Sequence, residues 1–256
     1  MKAVILAGGL GSRLSEETEI RPKPMVEIGG LPILWHIMKI YSYYGVNEFI
    51  ICCGYKAYII KEFFANFFIH SSDFTIDLEN NKLNILNKNS DPWKVSVIDT
   101  GPFTMTAGRL KKVENYLQNE DRFFLTYGDG LANIDLKKLL ATHVSNNKKV
   151  TLTGVLPLGR FGALQLDGET ITGFIEKPVG EDGFINGGFF VVERSTLSMI
   201  KGEEAVWETD ILSELAKHGS LGIYKHTGFW QPMDTLREKK LLEELWQQGN
   251  APWKIW

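Results

Sequence analysis

Val4-Ile5-Leu6-Ala7-Gly8-Gly9-Leu10-Gly11-Ser12-Arg13-Leu14 is the stretch that decides the architecture. Its first four residues form an unbroken apolar run that stops at glycine, the mark of a short strand buried on both faces of a parallel sheet. A glycine-rich turn follows and ends in an arginine. Glycine lets a backbone approach a ligand closely, and successive N–H groups in such a turn face phosphate oxygens. The Arg13 guanidinium adds a fork able to bridge two phosphates. Two better-known phosphate motifs do not fit. Leu14 stands where the dinucleotide-binding fingerprint needs its third glycine, and no Gly-Lys-Ser/Thr follows to make a P-loop. Taken alone, the turn is also compatible with an ordinary strand-to-helix connection.

Residues 8–30 read as one long polar loop, and a loop of that length is usually functional or disordered. Within it, Arg21-Pro22-Lys23-Pro24-Met25 is held extended by its prolines, which restrict themselves and the residues before them. The direction of Lys23 is thereby set. Arg13, Arg21 and Lys23 gather three cations in one loop of a chain whose formal net charge is −3. That is the local cluster a nucleoside triphosphate needs; a solvated basic loop is the plainer alternative.

Strand and helix patterns alternate through the first 156 residues. Pro32 opens a helix that runs to about Tyr44 and stops at Gly45. Phe49 to Cys53 is a second buried strand, 56–67 a helix, Val95 to Ile98 a strand, 107–117 a helix. Phe123 to Thr126 is a strand closed by Tyr127-Gly128-Asp129-Gly130, and a helix at 135–146 and a strand at 149–156 follow. The pattern predicts an α/β fold: a Rossmann-like, mainly parallel sheet flanked by helices, with right-handed crossovers. Residues 70–94, polar and Asn-rich, read as a small insertion. Residues 160–192 read as a small β-rich excursion, followed by a helix at 209–217, a strand at 221–225 and a last helix at 236–248 ended by Gly249. No linker or internal repeat interrupts this, so 1–256 reads as a single domain.

Composition excludes several classes. With 44% hydrophobic and 23% charged residues, the 256-residue chain has material for a full core and no disordered signature. Its near-neutral balance argues against a nucleic-acid binder. Cys52 and Cys53 are neighbours on a strand and point to opposite faces, a poor disulfide geometry, so both read as packing residues in a reducing compartment. The five histidines have no zinc-ligand spacing. No stretch is long enough to span a membrane and no signal-peptide pattern occurs; the expectation is a soluble cytoplasmic protein.

Here a resemblance becomes specific. Leu6-Ala7-Gly8-Gly9-Leu10-Gly11-Ser12-Arg13-Leu14 followed by Lys23-Pro24-Met25 resembles the opening motif of the sugar-1-phosphate nucleotidyltransferase family. Tyr127-Gly128-Asp129-Gly130, Phe174-Ile175-Glu176-Lys177-Pro178, Ile185-Asn186-Gly187-Gly188-Phe189 and Trp230-Gln231-Pro232-Met233-Asp234-Thr235 look like its later motifs, in order, over most of the chain. Finer features resemble the members that transfer a cytidylyl group to glucose 1-phosphate. These are Glu27-Ile28-Gly29-Gly30 with Pro32-Ile33-Leu34-Trp35-His36, Cys52-Cys53-Gly54-Tyr55-Lys56, Thr104-Met105-Thr106 leading into Gly108-Arg109-Leu110, and Ala251-Pro252-Trp253-Lys254. Thymidylyl- and uridylyl-transferring relatives carry a glutamine in the base-reading segment that residues 99–110 lack. Ala107, where glycine is commoner, adds a methyl group near the expected base site.

The resemblance implies a set of roles. CTP and glucose 1-phosphate would be the substrates and Mg²⁺ the cofactor, held by Asp129 and Asp234. Arg13 would hold the outer phosphates, and Lys23 would bridge the α-phosphate and the sugar phosphate. Leu6, Ala7, Gly8, Gly9, Leu10, Gly11 and Ser12, with Thr104, Arg109 and Gly128, would bind the nucleotide. Glu176, Lys177, Asn186 and Gly188 would bind the sugar phosphate. A homo-oligomer is expected, with the 70–94 insertion and the aromatic tail at Trp253 and Trp256 available for packing on another subunit. A regulatory nucleotide-binding protein of the same fold is the alternative from another class, and retention of Arg13, Lys23, Asp129 and Asp234 together argues against it.

Overall fold

The computed structural model describes residues 1–88, 91–157, 163–167, 170–175 and 183–256. Seven strands form the main sheet: β1 (Ala3–Ala7), β2 (Glu48–Cys53), β3 (Lys94–Asp99), β4 (Arg122–Tyr127), β5 (Val150–Val155), β6 (Ile185–Glu193) and β7 (Leu221–His226), in the order β7-β5-β6-β4-β1-β2-β3. β1 pairs parallel with β2 and with β4, and β2 with β3; only β6 runs against its neighbours. The chain leaves β1 toward one edge and returns to lay β4 on its other side. The order therefore reverses at β1, and the crevice beyond the carboxyl ends of β1 and β4 is where such sheets bind ligands.

The alternation of side chains along β1 divides the interior in two. Ala3, Ile5 and Ala7 face one core, Val4 and Leu6 the other. Cys53 and Cys52 follow the same split, both buried and free, as the sequence predicts. Helices α1 (Ile33–Tyr43), α2 (Ala57–His70), α4 (Leu136–Asn146) and α5 (Leu236–Gln247) supply the first side, and α3 (Thr106–Lys112) with the π-helical turn Trp207–Leu212 supplies the second. α1 ends where Gly45 takes φ 82, a conformation open to glycine at no cost.

Four expectations change. The long loop at 8–30 is not structureless: it holds 3₁₀ turns at Ser12–Leu14 and Lys23–Met25, a helical turn at Ser15–Thr18, and a two-residue ladder between Glu27–Ile28 and Leu31–Pro32. Thr18 makes this possible by donating its hydroxyl to the carbonyls of Gly11 (3.1 Å) and Leu14 (3.0 Å). Within 160–192 the described residues hold an antiparallel pair, Ala163–Asp167 with Thr170–Ile175, and β6 lies inside the main sheet because Phe189 to Val192 is apolar enough to be buried on both faces. Trp253 is fully buried in its own chain, against His36, Trp246 and Phe229, and Trp256 packs on Trp35 and His36. Its burial is worth about 3–5 kcal/mol. The tail thus closes over α1. Between α2 and β3, Ser72–Asp77 and Lys82–Lys88 pair as an antiparallel hairpin. Finally, Ala107 points into the second core, not toward a ligand.

Candidate active site

Beyond the ends of β1 and β4 lies a cavity of about 730 Å³. It is lined by every residue from Leu6 to Arg13, and by Lys23, Thr104, Arg109, Gly128, Asp129, Asn186, Gly188 and Asp234. Segments far apart in the chain are therefore brought to one place. Glu176 and Lys177 lie outside the described residues. Arg21 is not part of the lining, and its guanidinium is held by Glu27 instead. The sequence reading of three cations in one cluster reduces to two.

Gly11 sits in the left-handed region at φ 67, and a Cβ there would fall 2.7 Å from the Thr18 methyl. The turn consequently needs glycine on two counts. Its far end is pinned from outside: the Tyr55 hydroxyl donates to the Thr18 carbonyl (3.1 Å), Lys56 reaches the Glu19 carbonyl, and Lys239 on α5 pairs with Glu17.

Lys23 is 8% exposed. Its ammonium donates to Asp129 (2.7 Å) and, in a still shorter contact, to Asp234, which stand 106 and 211 residues away in the chain. Burial by itself lowers the pKa of Lys23, but the charges and hydrogen bonds of Asp129 and Asp234 outweigh it and hold the pKa above the ordinary lysine value. The group stays cationic. Arg13 closes the arrangement with a 2.7 Å bond to the second Asp234 oxygen, from a side chain that is 70% exposed. An exposed pair of this kind is worth about 1 kcal/mol or less, so Arg13 is readily drawn away by a stronger anion.

Asp234 is positioned by the start of α5. Thr235 caps the helix, Glu238 returns its carboxylate to the Thr235 N–H (2.9 Å) and also takes the Asp234 N–H (2.7 Å). The two aspartates therefore converge on one point from rigid supports, and the Lys23 ammonium marks it as a place that holds a cation. Among the described residues no cluster of three or more His, Cys, Asp or Glu forms. Two carboxylates suit Mg²⁺, which completes its shell with water and phosphate oxygens.

Arg109 lines the cavity, but its guanidinium is engaged with the protein. It donates to the carbonyls of Cys53 (3.0 Å), Gly101 (2.7 Å) and Gly8 (3.0 Å) and to the Thr100 hydroxyl (2.7 Å). Burial lowers its pKa. Within the site Arg109 thus ties the glycine turn to the ends of β2 and β3. Glycine at positions 8 and 54 is what admits it: a Cβ there would lie 2.2 Å and 2.5 Å from its atoms.

Sequence reasoning missed Tyr127, Trp230 and Phe103, all of which line the cavity. The Trp230 indole donates to the Gly187 carbonyl (2.8 Å), holding the start of β6, which carries Asn186 and Gly188. Phe103 is 87% exposed at the cavity rim. Tyr127 and Trp230 fall inside motifs whose polar members drew attention first, and an apolar residue beside a carboxylate is ordinarily core.

No helix among the described residues is long and apolar enough to cross a membrane. Residues 2–235 match the family model described as Nucleotidyl transferase. The chain is 54% identical to the glucose-1-phosphate cytidylyltransferases of Salmonella typhi and of Salmonella typhimurium, in each case over all of both chains. Its fold matches the crystal structure of HddC from Yersinia pseudotuberculosis at a TM-score of 0.69 and 24% identity, over 96% of this chain and 99% of that one. A crevice at the reversal of the sheet, a glycine turn ending in arginine and two converging aspartates thus accompany a match along nearly the whole sequence, and this chain belongs to the nucleotidyl transferase family.

Proposed function

We propose that the protein transfers a cytidylyl group from CTP to α-D-glucose 1-phosphate, releasing pyrophosphate and forming CDP-glucose. Full-length identity to enzymes of that activity supports the choice of substrates. The observation that carries the mechanism is the Lys23 ammonium between Asp129 and Asp234 in a cavity walled by the Gly8–Arg13 turn.

The reaction is a displacement at the α-phosphorus by a phosphate oxygen of the sugar phosphate. Two anions must meet, so positioning and charge neutralisation dominate. The nucleophile is already ionised at neutral pH and needs no general base. Backbone N–H groups of the turn face the phosphates. Arg13 leaves Asp234 for the outer phosphates and follows the departing pyrophosphate. Lys23 bridges the α-phosphate and the incoming sugar phosphate. Asn186 and Gly188, with Glu176 and Lys177, take the sugar side. Mg²⁺ would be held by Asp129 and Asp234 and would neutralise charge on the phosphate oxygens. The exposed apolar residues of the hairpin, Leu78 and Leu86 at 78% and 63%, support self-association as a homo-oligomer.

The test is pyrophosphate release from CTP, dTTP, UTP, ATP and GTP in turn, each with Mg²⁺ and glucose 1-phosphate. Release strongly favouring CTP is expected. Preference for dTTP or UTP would overturn the base assignment, and no release from any of them would favour a regulatory nucleotide-binding protein.

A further inference from the structure

Behind the cavity wall lies a carboxylate that the mechanism does not use. Glu208 sits on the π-helical turn Trp207–Leu212, a type of distortion often found at functional sites. It does not line the cavity. One of its oxygens receives the Tyr127 hydroxyl in a very short contact, and the other receives the Thr106 hydroxyl at 3.0 Å. Tyr127 and Thr106 both line the cavity.

The chain of hydrogen bonds has only one consistent direction. A carboxylate can accept and cannot donate, so the Tyr127 hydroxyl donates its hydrogen bond to Glu208. The Tyr127 oxygen can then only accept, and it does so from the Asn186 side-chain amide at 3.2 Å. The Asn186 carbonyl oxygen accepts from the Gly188 N–H at 2.9 Å. That assignment leaves one N–H of the Asn186 amide for the cavity. Burial, followed by the Glu208 charge, raises the pKa of the Tyr127 phenol, so the proton on which the relay depends is retained. Packing holds the same geometry. The Tyr127 ring meets Phe190 edge-on, Phe190 meets Trp207 edge-on, and Gly188, at φ 81, leaves space that a Cβ 2.6 Å from the Tyr127 ring would fill.

We infer that Glu208 is a positioning residue that, through Tyr127, fixes Asn186 as a hydrogen-bond donor toward an oxygen of the sugar phosphate. The inference rests on the proposed use of Asn186 in the sugar subsite. Through Thr106, at the start of α3, the same carboxylate braces the segment that carries Thr104 on the nucleotide side. The substrate class is therefore a sugar phosphate presenting a hydroxyl or phosphate oxygen as acceptor at this point.

The experiment measures KM for glucose 1-phosphate, KM for CTP, kcat and thermal stability in wild type, Glu208→Ala, Glu208→Gln and Tyr127→Phe. It then repeats the sugar KM with the series of monodeoxy glucose 1-phosphates. Loss of a relay bond inside a substrate site should raise the sugar KM about tenfold in Glu208→Ala and Tyr127→Phe, with the CTP KM changed by about twofold or less in Tyr127→Phe, which leaves the bond from Thr106 to Glu208 in place. Glu208→Gln, whose carbonyl still accepts from Tyr127, should recover most of the loss. In wild type at least one monodeoxy sugar should bind more weakly than glucose 1-phosphate, and that penalty should shrink in Glu208→Ala, as coupled partners require. A Glu208→Ala enzyme with an unchanged sugar KM or an undiminished deoxy penalty would overturn the inference. So would a joint rise of both KM values in Tyr127→Phe that tracks a fall in stability. A wild-type enzyme that turns over no sugar 1-phosphate would instead remove the proposed reaction, and this inference with it.

Discussion

In the proposed reaction Lys23 and Mg²⁺ would compete for the same two carboxylates, and that competition would have a measurable size. In the free protein the Lys23 ammonium makes charge-assisted bonds to Asp129 and Asp234. Such bonds are worth about 1.5–3 kcal/mol each. Asp129 is 31% exposed and Asp234 14%, so solvent screens part of that energy. About 2 kcal/mol is a reasonable total for what a cation must displace. The isosteric change Lys23→Met removes the competitor and leaves the aspartates facing one another. Mg²⁺ should then bind the nucleotide-free protein about thirtyfold more tightly, at about 1.4 kcal/mol per tenfold. Turnover should move the opposite way. Loss of a group that neutralises transition-state charge costs about 10²–10³-fold in kcat. Calorimetric titration of Mg²⁺ into nucleotide-free wild type and variant, beside pyrophosphate release with CTP and glucose 1-phosphate, reads both. Weaker or unchanged Mg²⁺ binding would refute the shared site, and full activity would refute the phosphate-bridging role of Lys23.

Burial lowers the pKa of His36 from 6.5 to about 4. Its stabilisation is therefore present above pH 6.5 and is lost as pH falls toward 4, by about 2 kcal/mol between pH 7 and pH 5. His143 shifts in the same direction, so the measurement is the difference in thermal melts between wild type and His36→Gln, whose pH dependence should be shallower. Gly8→Ala places a methyl 2.2 Å from the Arg109 guanidinium carbon. It should cost about 1–3 kcal/mol of stability and most of the activity, whereas Gly9→Ala, with no neighbour within 4 Å of its Cβ, should fold like wild type. Both are read by melting and turnover. If the protein self-associates as proposed, Leu78→Asp should lower the mass read by light scattering, and a wild-type mass near the 29.0 kDa of one chain would refute self-association outright.

Much of the fold was legible because its signals are local. β1, β2 and β4 are built on the short apolar runs at 4–7, 49–53 and 123–125, and each follows from a few adjacent side chains. The end of α1 at Gly45 and the opposed burial of Cys52 and Cys53 follow from backbone geometry alone. Where local reading failed, a distant partner decided. Residues 8–30 read as loop because part of what holds them comes from Tyr55, Lys56 and Lys239. β6 was misread as part of an excursion because its two neighbours in the sheet, β4 and β5, precede it in the chain by dozens of residues.

The same division holds for the site. Adjacent residues were enough for the parts: a glycine turn with Arg13, a stiff Lys23, aspartates at the end of a strand and the start of a helix, and a family resemblance that named their chemistry. Their partners came from the folded chain. It set Lys23 between Asp129 and Asp234, spent the Arg109 guanidinium on loop carbonyls, turned Arg21 away to Glu27, and placed Glu208 behind Tyr127. Residue type limits which bonds a side chain can form. Which bonds it does form depends on distances set by strand order and helix packing, and no run of neighbouring residues encodes those.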